Sequence, residues 1–191
     1  MASGNGWRAR GFSLIELMFA LAVAMLLAGW AVPAMNDFLQ GVRASVASRQ
    51  FASLLESTRY RSLVAPLPVT ICATGADNVT CNRNYGRGLV VFEDMDRDGI
   101  VDGGERVLLR EMLADNGEFR LVWRAFQNRP YLRWAAGRTD SMNGTFTLCN
   151  RRQKNEWLRQ LVVNRAGRTR LVTPARSPGS VLQSARRACG W

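Results

Sequence analysis

Gly11-Phe12-Ser13-Leu14-Ile15-Glu16-Leu17-Met18 opens the stretch that decides the fold. It begins a run of 21 residues, Phe12 to Val32, that carries a single charge, Glu16. A helix of about 20 apolar residues is long enough to cross a bilayer. Arg8 and Arg10 precede the run and Asp37 follows it, so the positive-inside bias keeps the leader cytoplasmic and sends the rest of the chain outward. A cleaved secretory signal needs a shorter apolar core than this one before its small-residue cut site, for which Ala-Val-Pro-Ala at 31–34 would have to serve. A plain transmembrane anchor leaves Glu16 without a reason. A carboxylate at the centre of a bilayer costs about 2.5–3.5 kcal/mol and normally serves a function with a partner.

The string from Gly11 to Met18 closely resembles the processing site of type IV pilins and type II secretion pseudopilins. The resemblance implies that a prepilin peptidase cuts after Gly11 and methylates the new N-terminus, Phe12. It also implies that Glu16, fifth in the mature chain, pairs with the N-terminal ammonium of a neighbouring subunit. Three segments follow from it. These are a cleaved leader at 1–11, a helical segment at 12–33 that lies first in the membrane and later in a filament core, and an external domain at 34–191. The implied location is the bacterial inner membrane, crossed once with the C-terminal domain periplasmic, and then the pilus. Other pilins are the implied partners. Pro33 fits as well, since such helices commonly carry a proline near the end of the apolar stretch, where it kinks or melts the helix.

Further along, Val42, Val46, Phe51, Leu54 and Leu55 fall near one helical stripe, which predicts one helix from about 12 to 64. Pro66 and Pro68 end it. Eight strand-like runs follow: Val69–Thr74, Gly88–Glu93, Arg106–Met112, Glu118–Arg124, Tyr131–Ala135, Gly144–Cys149, Leu158–Asn164 and Thr169–Thr173. Apolar and polar residues alternate in 119–124 and 145–148, the pattern of half-buried strands. Residues 174–188, with Pro174 and Ser177-Pro178-Gly179-Ser180, read as loop. One long helix followed by antiparallel strands is an α+β class; the resemblance to pilins implies the type IV pilin fold. Gly88-Leu89-Val90-Val91-Phe92, an Asp-rich turn, Glu105-Arg106-Val107-Leu108 and a late Gly167-Arg168 resemble the FimT/GspH group of minor pilins.

Charge is unevenly spread. From Arg120 to Trp191 there are 14 arginines and Lys154 against Asp140 and Glu156, a net +13. From Phe12 to Phe119 nine arginines face 13 acids, a net −4. A concentrated cation suits a polyanion such as nucleic acid, anionic lipid or an acidic protein; otherwise it is a solvated basic surface. Within it lies Asn164-Arg165-Ala166-Gly167-Arg168-Thr169-Arg170. Gly167 reads as a hairpin-turn glycine, and Arg168 and Arg170, two apart on a strand, share a face. Arg151, Arg152, Lys154, Arg165, Arg176, Arg186 and Arg187 belong to the same basic third. FimT-like minor pilins that capture DNA for natural transformation carry a Gly-Arg-x-Arg motif near the C-terminus, and residues 167–170 match it. The resemblance therefore implies sequence-independent DNA binding through this region. The alternative is a purely structural minor pilin or pseudopilin of a pilus tip or a type II secretion initiation complex. Trp134, Trp157 and Trp191 read as packing residues, with base stacking as the alternative.

Cys72, Cys81, Cys149 and Cys189 allow three pairings in an exported protein; Cys72–Cys81 and Cys149–Cys189 are favoured because each closes a local loop. No cysteine pair has metal-binding spacing and there is no histidine, which argues against zinc. The same absence removes the commonest general base. Ser141 and Ser177 lack a nucleophile-elbow pattern, so no enzyme and no cofactor are expected. Residues 94–105 match the calcium-loop spelling, with Asp94, Asp96, Asp98, Asp102 and Glu105 at the ligand positions and Gly99 at the turn. Strand signals flank it instead of two helices, so it reads first as an Asp- and Gly-rich β-hairpin loop, with calcium as the alternative.

Overall fold

In the computed structural model the described residues are 13–64, 67–75, 79–83, 85–86, 88–111, 118–140 and 143–191. Gly11 and Phe12, the expected processing site, lie outside them. Helix α1 spans Leu14–Val64. Ser13 caps it: its Oγ accepts from the Glu16 backbone N–H at 3.3 Å, and the Ser-x-x-Glu order is that of a capping box. Pro33 removes one donor, the one that would reach the Gly29 carbonyl, yet the helix is continuous across it. The chain divides into two compact units, one ending at Gln40 and one at Gly41–Trp191. In the first, Leu14, Ile15, Phe19, Leu26 and Trp30 are all exposed, a lipid-type surface with no core of its own.

In the second unit α1 buries Ala44, Ser48, Phe51, Leu55, Thr58 and Ser62, a stripe spaced by three and four residues. The expected stripe differs from it, because Val42 and Val46 are exposed. Small residues let α1 lie close, and the hydroxyls are satisfied by their own helix. Ser48 Oγ donates to Ser45 O at 2.9 Å, Thr58 Oγ1 to Leu54 O at 2.8 Å and Ser62 Oγ to Arg59 O at 2.6 Å.

The strands are β1 Val69–Thr74, β2 Cys81–Asn82, β3 Leu89–Glu93, β4 Val107–Glu111, β5 Phe119–Ala125, β6 Tyr131–Ala135, β7 Arg138–Thr139, β8 Gly144–Asn150, β9 Arg159–Val163 and β10 Thr169–Val172. One antiparallel sheet has the order β4-β3-β1-β6-β7, with β2 also on β1; the other has the order β10-β9-β8-β5. The eight strand-like runs all contain strands. The added pieces, β2 and β7, are two residues each, too short to show a period. Residues 174–188 are not loop. They form a 3-10 turn, Pro174–Arg176, and helix α2, Gly179–Cys189. Its signals were present: Leu182, Ala185 and Cys189 at helical spacing, Arg186 and Arg187 in the last turn, and Gly190 beyond it at φ 83°. The Ser-Pro-Gly-Ser stretch masked them, since Pro178 takes the N-cap position rather than breaking anything.

Alternation along the second sheet divides its residues between two cores. Leu121, Trp123, Phe146, Leu148, Leu161 and Val163 join Phe51 and Leu55 of α1. Phe146 meets Phe51 edge-on at 4.8 Å between centroids, a favoured aromatic geometry. On the opposite face Val122 and Cys149 meet Leu182, Ala185 and Cys189 of α2. Both favoured cysteine pairs are bonded. Cys72–Cys81 ties β1 to β2, and Cys149–Cys189 ties β8 to the end of α2.

Candidate nucleic-acid interface

The Gly167 turn is a tightly held hairpin between β9 and β10. Gly167 N–H donates to Asn164 O at 2.9 Å, Asn164 N–H to Arg168 O at 3.1 Å, and Arg168 N–H to Asn164 Oδ1 at 3.0 Å. Gly167 has φ 76°, and a Cβ there would stand 2.5 Å from the Gly137 carbonyl and 3.0 Å from the Trp134 ring. The glycine is thus required twice, by conformation and by the approach of the β6–β7 turn. Gly167→Ala should cost roughly 1–3 kcal/mol for the left-handed backbone alone, with the clash added. A melting temperature unchanged by this substitution would contradict the turn geometry.

Beyond the glycine, Thr169 N–H is held by Glu56 Oε1 of α1 at 3.1 Å. That orients β10. Arg168 and Arg170 stay exposed, and Arg170 stands on the α2 side of the sheet, in the space it shares with Arg176, Pro178 and Ser180. Arg165 is exposed within the hairpin loop. Neither Arg168 nor Arg170 has a carboxylate partner among the described residues.

The other cations of the basic third sit on different elements. Arg186 and Arg187 sit in the last turn of α2, where Arg124 Nη2 donates to Arg187 O at 3.0 Å and Arg120 Nη2 to Cys189 O. Cations there complement the carbonyl end of a helix. Arg151, Arg152 and Lys154 lie beyond β8, and two of them are engaged. Arg152 pairs with Glu118 at 3.2 Å, while Arg152 and Lys154 cover the Trp157 ring at 5.9 and 5.0 Å. Trp134 and Trp157 are buried and act in packing, while Trp191 is partly buried beside α2.

The charge count also conceals Arg133. It is 2 % exposed and belongs to the fold, not to a surface. Its Nη2 and Nε reach Asp94 Oδ2 at 2.6 and 2.9 Å, its Nη1 reaches Asp140 Oδ2 at 3.2 Å, and Thr70 Oγ1 donates to the same Asp94 oxygen at 2.6 Å. Desolvation opposes the Arg133 charge, but Asp94 and then Asp140 outweigh it and leave the guanidinium above its ordinary pKa. Nothing in the residue order around Arg133 signals this; only the β1–β6 register, with Thr70 opposite Arg133, brings the group to Asp94.

Asp94 begins the β3–β4 loop that matches the calcium spelling. Asp94, Asp96 and Asp98 bring oxygens within 4.8 Å of one another. Backbone N–H groups of the loop donate to several of these carboxylates, while Glu105 Oε2 is buried without a partner. Asp96 Oδ1 accepts from Asp98 N–H at 3.1 Å, Asp98 Oδ1 from Ile100 N–H at 2.6 Å, Asp102 Oδ1 from Gly104 N–H at 3.4 Å and Glu105 Oε1 from Met95 N–H at 2.7 Å. Gly99, at φ 78°, packs under the Tyr131 ring. With Asp94 Oδ2 held by Arg133, the guanidinium already supplies the loop with a cation. These contacts are those of an Asp- and Gly-rich hairpin loop anchored on β6.

Comparison with known proteins then decides the family. Residues 47–167 match the family model "Type II transport protein GspH", and residues 8–32 match the prokaryotic N-terminal methylation motif. The chain belongs to the GspH family. The fold of this GspH-family chain is the type IV pilin fold. It is similar to crystal structures of the type IV minor pilin FimU of Pseudomonas aeruginosa in two crystal forms. The first has TM-score 0.53 and 18% identity, covering 71% of this chain and 92% of that one. The second has TM-score 0.50 and 18% identity, covering 70% and 96%. The minor pseudopilin EpsH of the Vibrio cholerae type 2 secretion system is also similar, with TM-score 0.49, 13% identity and coverage of 70% and 98%. No curated protein matches the chain.

Proposed function

We propose that this GspH-family chain is a minor pilin that binds DNA without sequence preference, through the arginines that the Gly167 turn sets outward, in support of DNA uptake during natural transformation. The observation that carries the reading is Arg168, at the end of the Gly167 turn, and Arg170, on the edge strand β10, both exposed and without a carboxylate partner among the described residues. Arginine forks suit phosphate oxygens, and contacts to successive phosphates position a duplex without reading its bases. The N-terminal helix serves as anchor. Prepilin peptidase cuts after Gly11 and methylates Phe12 at the inner membrane, and Glu16 then pairs with a neighbouring subunit's N-terminus as the chain passes into a pilus.

The test is a mobility-shift titration of the full chain in detergent. Neutralising Z phosphates makes log affinity fall with log salt at a slope of about −0.9Z. Changing Arg168 and Arg170 together to alanine is expected to remove most of the binding and to flatten the slope by about two units. Binding like that of the native chain would remove the assignment. The likeness to FimU favours a second reading, a structural minor pilin whose basic groups contact neighbouring subunits. Phenotype separates the two. Deletion would abolish transformation with pili retained under the first reading, and abolish piliation or secretion under the second.

A further inference from the structure

Helix α2 packs over β5 and β8, through Val122 and Cys149, and leaves the β9–β10 half of that face open. There a cleft of about 770 Å³ is lined by Gln160, Val162, Arg170, Arg176, Pro178 and Ser180, among others. Its size is in the range of small-ligand sites, about 300–1,000 Å³. Two guanidiniums line it and no acidic residue does. Arg176 also lies close enough to Arg159 to oppose its charge, after desolvation. Folding thus gathers positive charge here, with no acidic residue among those lining the cleft. At the rim α2 begins with Pro178 as N-cap, no side-chain cap and no acid in the first turn, so the field of its free N–H groups is also uncompensated.

The floor carries a different feature. Gln160 is only 5% exposed. Its Nε2 donates to Thr147 Oγ1 at 3.2 Å, while its Oε1 accepts from no group among the described residues. That acceptor is not sealed off from solvent but opens to the cleft, where a ligand can reach it. A ligand with a phosphate at one end and an N–H donor at the other meets both features. Val162 and Pro178 supply apolar walls between the two.

We propose that this cleft seats one nucleotide of a single-stranded DNA segment. Its phosphate lies between Arg170, Arg176 and the start of α2, its base lies along the Val162 wall, and a base N–H donates to Gln160 Oε1. All four bases carry an N–H donor on the pairing edge, so the seat does not choose between sequences. In a duplex that edge is occupied, and a base has to leave the stack to enter. The inference rests on the DNA-binding reading above and adds strand preference to it.

The test compares short single-stranded and duplex DNA by fluorescence anisotropy with the full chain in detergent. Ser180→Glu places a carboxylate at the rim while favouring the helix start, so it leaves folding intact. Gln160→Met keeps side-chain length but removes the acceptor, and its melting temperature is the folding control. Each is expected to weaken single-strand binding about tenfold, the loss of one charge-assisted contact or one hydrogen bond to Gln160; Gln160→Met should leave duplex binding nearly unchanged, and Ser180→Glu, beside Arg170, should weaken it by much less than it weakens single-strand binding. Ser180→Glu binding single strands like the native chain, or weakening both forms equally, would overturn the cleft. Loss of both forms only in the Arg168/Arg170 double variant would also overturn it while leaving the DNA reading in place. A native chain that binds neither form would remove both.

Discussion

Asp94→Ala is expected to lower the stability of the Gly41–Trp191 unit by about 3–5 kcal/mol, the usual cost of leaving a buried charge without its partner. Asp94 is fully buried and Arg133 nearly so. The substitution removes the oxygen that receives two of the guanidinium's donors and the Thr70 hydroxyl at once. Asp140 remains at 3.2 Å, but it is partly exposed and serves only Nη1, so the cost falls toward the lower end of that range. For a domain of this size the melting temperature should drop by about 10 °C. The second variant separates charge from packing. Arg133→Met in the Asp94→Ala background should restore much of the loss, since an apolar replacement of a buried ion pair is often neutral or better. A melting curve for Asp94→Ala within a degree or two of the native one would show that the ion pair does not hold the β3–β4 loop to β1 and β6.

Removing the Cys149–Cys189 bond, as Cys149→Ala with Cys189→Ala, is expected to cost about 4 kcal/mol by the chain-entropy relation for a closed loop of this length. The sequence separation is 40 residues, against nine for Cys72–Cys81, which should matter less on the same relation. The bond pins the last turn of α2 onto β8. The helix otherwise holds by a small cluster around Leu182 and Ala185 and by Arg120 and Arg124 on its terminal carbonyls. Amide exchange in α2 should therefore accelerate well before that in β1 or β3, which place Val69, Ile71, Leu89 and Val91 in the larger core. Equal protection of α2 in native and variant chains would sink this account.

Much of the architecture is legible residue by residue. Glu16 within an otherwise apolar run marks the anchor, alternation marks strands such as Phe119 to Arg124, and apolar runs between turn residues mark β1 and β3. Gly167 followed by Arg168 and Arg170 marks the turn and its exposed cations. Other features are not, for reasons that differ. The buried stripe of α1 rests on Ser48, Thr58 and Ser62, whose hydroxyls bond back to their own helix, so a reading that seeks large apolar residues chooses Val42 and Val46 instead. Helix α2 lies behind Pro178 and Gly179, which are loop residues by habit and a helix start here.

The basic third shows the division most clearly. Sequence alone establishes that 14 arginines and one lysine crowd the last 72 residues, because composition and order are local facts. Only the tertiary structure decides which of them face a partner. Arg133 is withdrawn into an ion pair because β1 and β6 pair in one register. Arg120 and Arg124 turn to the carbonyls of α2, and Arg152 and Lys154 cover Trp157. Arg168 and Arg170 have no carboxylate partner among the described residues, and a glycine-only turn and Glu56 of α1 hold the backbone there with both side chains exposed. Charge is a property of residues, but its availability depends on contacts between residues far apart in the chain.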